Sequence, residues 1–305
     1  MNNVISTRVT IFRNLKDYKF ENKLLPEQKQ EIEEILAKAL KQKMNLINID
    51  EVDPKVVDYL NENALILGNY KKLFVDKKEP LSINLFNGEH LSIVSNSDGF
   101  DQNVINKVVE LTKFLSNKIS FSFTDEFGYL MSDISKLGSG LKIETNIMLS
   151  AIKKINKIDQ VVQNVAKLGY SLNETKFSGI YTLSTKCNFG VGEKQVCQDF
   201  EKTLSKLQDL ELESLKMLDV ENHDEILDKV QRSFAILNSA HMLNYDELYN
   251  LTTNLRIGVS LGIINVAKDK LFKLHHLNIK NKSEFISQSE LKKLAEEVKE
   301  ILKGE

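Results

Sequence analysis

The chain has 305 residues, 42% of them apolar, enough to build a sizeable core in one large domain or two ordinary ones. Its 41 basic and 43 acidic side chains leave a formal charge of −2, so no global field draws it to nucleic acid or an anionic membrane, and any anion site must be local. With no signal peptide or long apolar span, the cytoplasm is the expected compartment, and Cys187 and Cys197 are expected to be free thiols.

Residues 4–12 alternate and are rich in β-branched side chains, which predicts a strand. Residues 24–42 follow with Ile32, Ile35, Leu36, Ala39 and Leu40 on one helical stripe. Leu81, Ile83 and Leu85 alternate up to Asn87-Gly88, and Leu91 and Ile93 resume the alternation. Segments 81–86 and 89–95 are therefore expected to pair around a two-residue type I′ turn, for which Asn-Gly supplies the positive φ values. Residues 104–115 and 152–168 carry helical periodicity, and 119–123 and 179–183 read as strands. From Glu193 the pattern turns helical, with Val196, Phe200, Leu204 and Leu207 three or four apart, followed by 226–243, 245–264 and 289–302. The expected architecture is α+β: an antiparallel β-sheet flanked by helices over residues 1–205, then an all-α domain over 206–305.

Several segments carry a resemblance. Asp133-Ile-Ser-Lys-Leu-Gly-Ser-Gly-Leu-Lys142, after the aromatic stretch from Phe127, resembles a signature of the guanidino kinases, Cys-Pro-Thr-Asn-Leu-Gly-Thr-Gly-Leu-Arg. Ser6-Thr-Arg-Val-Thr-Ile-Phe-Arg-Asn14 resembles that family's first phosphate-binding strand. Glu89-His-Leu-Ser-Ile93 lies where the family has Asn-Glu-Glu-Asp-His-Leu-Arg-Ile, and Gly179-Ile-Tyr-Thr-Leu-Ser184 resembles its later Asn-Ile-Tyr-Gln-Ile-Ser. The helical runs at 228–240 and 255–264 are similar to an extension found in the bacterial protein-arginine kinases. The resemblance covers nearly the whole chain. It implies an ATP:guanido phosphotransferase fold using ATP and Mg²⁺, a homodimer, and two partners in stress-response proteolysis: a zinc-binding activator protein and a Clp-type unfoldase.

In that family arginines hold the ATP phosphates while a carboxylate orients and deprotonates the guanidinium. Phosphoryl transfer is largely alignment and charge neutralisation, which fixed guanidinium forks do better than mobile ammonium groups. Transferred one position at a time, Arg8, Arg13, His90 and Lys142 form the implied nucleotide-phosphate remnant, and Asp133 replaces the cysteine on the substrate side. The arginines expected at 10, 92 and 142 read Thr10, Ser92 and Lys142, and residues 171–178 are too short for the family's glycine-rich loop. Aligning on His90 puts Asn87 and Gly88 at the two glutamates, while a one-residue gap makes Glu89 the catalytic acid. Run 290–295 lacks the arginines of the family's phosphoarginine-recognition motif.

Each residue also has a plainer reading. Arg8 either meets phosphate or pairs with a carboxylate such as Glu144; Glu89 is a solvated hairpin residue; Asp133 pairs with a guanidinium or caps a local turn; His90 is structural. If Arg8, Arg13 and Lys142 still converge, as their places in the resembled family's fold imply, they form one small basic pocket. Removing one electrostatic stabiliser of a transition state typically costs roughly 10² to 10³ in rate. The expectation is therefore a protein-arginine kinase relative that has become a pseudokinase or regulatory binding protein. The alternative is an active phosphotransferase with an altered site built on Glu89, Arg8, Arg13 and Lys142.

Overall fold

The computed structural model describes residues 3–186, 190–279 and 287–303. Its strands are β1 (Val4–Arg13), β2 (Met44–Asn48), β3 (Lys72–Asp76), β4 (Leu81–Leu85), β5 (Leu91–Asp98), the short pair β6 (Phe123–Thr124) and β7 (Gly128–Tyr129), β8 (Leu141–Met148), β9 (Tyr170–Glu174) and β10 (Ile180–Thr185). Eight of them form one antiparallel sheet in the order β2-β3-β4-β5-β1-β8-β10-β9. The helices are α1 (Pro26–Leu40), α2 (Pro54–Glu62), α3 (Gln102–Ser116), α4 (Ser150–Lys154), α5 (Ile158–Lys167), α6 (Glu193–Ser239), α7 (Tyr245–Leu261), α8 (Lys268–Ile279) and α9 (Gln288–Lys303). The expected α+β architecture is present, and among the described residues no strand follows β10.

Register divides the sheet into two chemically distinct faces. Arg8 lies opposite Glu144 and Thr10 opposite Lys142; Ser184 in turn faces Glu144, and Ser171 faces Ser184. Side chains alternate along a strand, so these polar groups share one face. Val9, Ile11, Ile93, Ile143 and Leu183 point the other way, into a core shared with Ile32 and Leu36 of α1, Val108 of α3, Val165 of α5 and Phe200 of α6. Each such fully buried aliphatic side chain contributes on the order of 2 kcal/mol of transfer free energy. One half of the polar face is covered: Ser82 and Asn84 donate to the Leu65 carbonyl, and the Leu67 amide donates to Asn84. The half made by β1, β8, β10 and β9 stays open.

Helix α6 belongs to two cores. Its first turns lay Val196, Phe200, Leu204 and Leu207 on the sheet. After a kink at Asn222, where φ is −137° and ψ 35°, Leu237 joins Leu248, Leu255, Leu274, Leu294 and Val298 in a second core. Residue 205 therefore lies inside a helix. Contacts that tie the helical part back to the sheet part include His276 Nε2 with Asp98 Oδ1 at 2.6 Å, and the Tyr249 hydroxyl donating to the Ser178 carbonyl at 2.5 Å. Among the described residues no helix is long and apolar enough to cross a membrane.

Several local expectations are corrected. Segments 81–86 and 89–95 do pair antiparallel, but Leu85 faces Leu91 and the Phe86 amide donates to the His90 carbonyl at 3.1 Å. Residues 87–89 thus form a loop longer than a two-residue turn, with positive φ at Phe86 and Gly88. The physical reason is Glu89, which turns inward to partners on another loop. The expected strand at 119–123 is reduced to a single bridge between Leu15 and Phe121 plus the two residues of β6. The helix expected at 152–168 breaks into α4 and α5 at Asn156, whose φ is 57°. Cys197 is a buried free thiol that burial pushes up to about 11, whereas Cys187 lies outside the described residues.

Candidate functional site

The open half of the polar face forms a cleft of about 860 Å³ whose lining includes Asp133, Lys136, Lys142, Glu144, Ser184 and Lys186. Its rim is the glycine loop leading into β8. Gly140 takes φ 64°, and a Cβ there would sit 2.7 Å from Arg13 Nη1 and 2.8 Å from the Phe12 carbonyl oxygen, so only glycine fits. The connection from β9 to β10 is a tight hairpin in which the Thr175 amide donates to the Ile180 carbonyl at 2.8 Å. No long loop folds over the cleft from that side.

Arg8 and Lys142 are brought together, on a carboxylate. Arg8 donates from Nε and Nη2 to Glu144 Oε2 at 3.1 and 2.6 Å, and Lys142 Nζ lies 2.8 Å from Glu144 Oε1. Burial alone would raise the Glu144 carboxyl, but the Arg8 and Lys142 charges hold it below its ordinary value. The ion pair between Arg8 and Glu144, one of the two readings of Arg8, is present.

Arg13 does not join them, which corrects the expected three-cation pocket. Five residues along β1 from Arg8, it falls on the opposite side of the strand and is fully buried. Its guanidinium stacks 3.5 Å from the Tyr129 ring centroid and donates to the Phe12 and Ser139 carbonyls at 2.7 and 2.9 Å. It also donates to Glu193 Oε1 at 3.1 Å. Burial lowers its pKa, and Tyr129 and Glu193 oppose that shift. Arg13 is a clasp between β1, the glycine loop and the start of α6.

Glu89 is not the solvated hairpin residue expected. It is fully buried, and both oxygens are engaged. Oε2 accepts from Asn14 Nδ2 at 2.6 Å and from the Ser132 amide at 3.0 Å, while Oε1 accepts from the Ser132 hydroxyl at 2.8 Å and faces Lys136 Nζ at 3.8 Å. His90 is fully buried beside it. Its Nδ1 accepts from the Leu15 amide at 3.0 Å, which fixes Nε2–H as donor to the Lys19 carbonyl at 2.7 Å. Burial holds its pKa below the ordinary histidine value. Asp133 lines the cleft and also caps a turn, accepting from the Ser135 amide at 2.9 Å. Hydrogen bonding from the Ser135 side chain and then its amide, aided by Lys136, lowers its pKa. Ser92, where the resemblance gives an arginine, is fully buried with no hydrogen-bond partner for its hydroxyl among the described residues.

Residues 27–214 match the family described as ATP:guanido phosphotransferase, C-terminal catalytic domain, and residues 223–305 match the protein-arginine kinase McsB C-terminal domain. The chain belongs to the protein-arginine kinase branch of the ATP:guanido phosphotransferase family. A protein-arginine kinase of Clostridium novyi (strain NT) is 26% identical over 99% of this chain and 95% of its own length. One from Clostridium perfringens (strain 13 / Type A) is 27% identical over 86% and 82%. In structure, the substrate-free duplicated taurocyamine kinase of Schistosoma mansoni superposes with a TM-score of 0.62 at 17% identity, over 81% of this chain and 39% of that one. Lombricine kinase gives 0.58 at 15% identity, over 68% and 66%. The fold is that of the guanidino kinases.

Kinases of this family use ATP and Mg²⁺. The residues of this cleft do not fit a magnesium triphosphate. Arg8 and Lys142 already share a carboxylate, and Arg13 is sealed from the cleft.

Two features of the site escape motif reading. Glu144 is visible as a partner for Arg8, but its second bond to Lys142 depends on strand register. The Arg13–Glu193 pair joins residues 180 positions apart, and no sequence pattern announces it.

Proposed function

We propose that this member of the protein-arginine kinase family has lost phosphotransfer and works as a pseudokinase, a regulatory binding protein acting through its surfaces. One observation carries the reading: each family phosphate-binding cation kept by the chain is paired with one of its own carboxylates, Arg8 and Lys142 with Glu144 and Arg13 with Glu193. Phosphoryl transfer needs such cations free to neutralise the transferred group. The buried Glu89, with its oxygens turned to Ser132 and Asn14, supports the same conclusion for the general base. The resemblance supplies the setting: cytoplasmic stress-response proteolysis, with a zinc-binding activator protein, a Clp-type unfoldase and a second copy of the chain as partners.

The test is mass spectrometry of a protein substrate incubated with the chain, Mg²⁺ and ATP. No phosphoarginine is expected. Phosphoarginine that appears with the wild-type chain and disappears with Glu89→Gln would establish the active-enzyme alternative instead.

A further inference from the structure

We infer that Glu144 is a built-in occupant of the cleft's anion position, a residue that turns a cation pair made for an oxyanion into a site closed to phosphorylated ligands. The inference rests on reading the cleft as the family's nucleotide site, and it adds what keeps that site shut.

The geometry is that of a bound anion. Two cations from adjacent strands aim at one acceptor group, with the Arg8 fork on Oε2 and the Lys142 ammonium on Oε1. A carboxylate and a phosphate offer the same acceptor chemistry to guanidinium and ammonium donors. Glu144 lies deeper than either partner: its side chain is 16% exposed, against 35% for Arg8 and 40% for Lys142. The anion therefore rises from the floor of the cleft on β8, and the cations that bracket it still reach solvent. A phosphoryl group arriving from the cleft meets cations already neutralised and a fixed negative charge beneath them. With Glu144 neutral, the lining keeps Lys142 and Lys186, with Arg8 beside them, against the carboxylate of Asp133, while Lys136 faces Glu89. Local potential then favours an anion, although the whole chain is near neutral.

Neutralising one residue tests the inference. The full chain, Glu144→Gln and Glu144→Ser are titrated calorimetrically with inorganic tripolyphosphate and, separately, with ATP, after thermal melts establish that each is folded. The expected result is tripolyphosphate binding roughly tenfold or more tighter in both variants than in wild type, falling with added salt. The gain should vanish when Arg8→Ala is added and persist when the distant Lys299→Ala is added. Variants that bind no tighter than wild type overturn the inference, as does a gain that survives Arg8→Ala. Loss of folding in both variants overturns it too, since Glu144 would then be a structural counter-ion. Tighter tripolyphosphate with unchanged ATP supports the role of Glu144 and counts against the nucleotide-site reading, so the two fail separately.

Discussion

Arg8 and Glu144 face each other across β1 and β8, and the guanidinium holds the carboxylate at 2.6 Å with Lys142 on its other oxygen. The same contact that closes the cleft makes stability depend on acid. A carboxyl whose folded pKa is depressed contributes stability that is present above its unfolded pKa and is lost as pH falls through the folded value. Its ordinary value is 4.5. Below about pH 4.5 wild type should therefore lose stability more steeply than Glu144→Gln. At neutral pH the two should differ by only about 1 kcal/mol, because the pair is partly exposed and screened. Urea melts from pH 3 to 7 read both slopes; parallel curves would mean that the ion pair contributes nothing to the fold.

Glu211 should behave with the opposite sign. This fully buried residue of α6 accepts from the Ala151 and Ile152 amides at 2.8 and 3.0 Å, and burial pushes its carboxyl up to about 7 against the pull of those amides. A folded pKa above the unfolded 4.5 gives stability that is full below pH 4.5 and lost as pH rises through about 7. The contribution is on the order of 3 kcal/mol at most. Glu211→Gln should flatten that part of the profile, so its stability relative to wild type should rise between pH 4.5 and 7. A constant difference over that window would show that the carboxyl does not titrate there.

Glu89→Gln should lower stability by about 2 kcal/mol, because a buried carboxylate taking several amide and hydroxyl donors is replaced by a group with one acceptor oxygen. A solvated hairpin residue would change stability by no more than about 0.5 kcal/mol. Chemical denaturation of the two proteins side by side distinguishes these outcomes.

Gly140→Ala should cost roughly 2 to 4 kcal/mol, since the site combines a left-handed backbone with contacts that would force Arg13 and the Phe12 carbonyl aside. Gly169→Ala, with φ 86° but open space around its Cβ position, should cost less. Equal losses would place the whole effect in backbone strain and none in packing.

Much of the fold is legible because half-buried antiparallel strands write a two-residue period into the chain. Val9 and Ile11, Ile83 and Leu85, and Leu91 and Ile93 mark β1, β4 and β5 in this way. The alternation Leu141, Ile143, Thr145, Ile147 marks β8 equally well once those residues are separated from the glycine motif before them. β2 and β9 are short sheet edges, where pairing on one side leaves a weaker pattern. The site is less legible than the fold. Motif position identifies Arg8, Arg13 and Lys142 as cations, but strand parity decides that Arg13 turns away from the other two. The Asn87-Gly88 dipeptide signals a tight turn, and the buried bonds of Glu89 to Asn14 and Ser132, 75 and 43 residues away in sequence, override it.

The most direct measurement is calorimetric titration of the wild-type chain with ATP, with and without Mg²⁺, at millimolar nucleotide. If its phosphate-binding cations are already held by Glu144 and Glu193, no saturable heat should appear under either condition. Saturable binding that strengthens when Mg²⁺ is added would contradict this, and would mean that the cleft accepts a triphosphate despite the carboxylate on its floor.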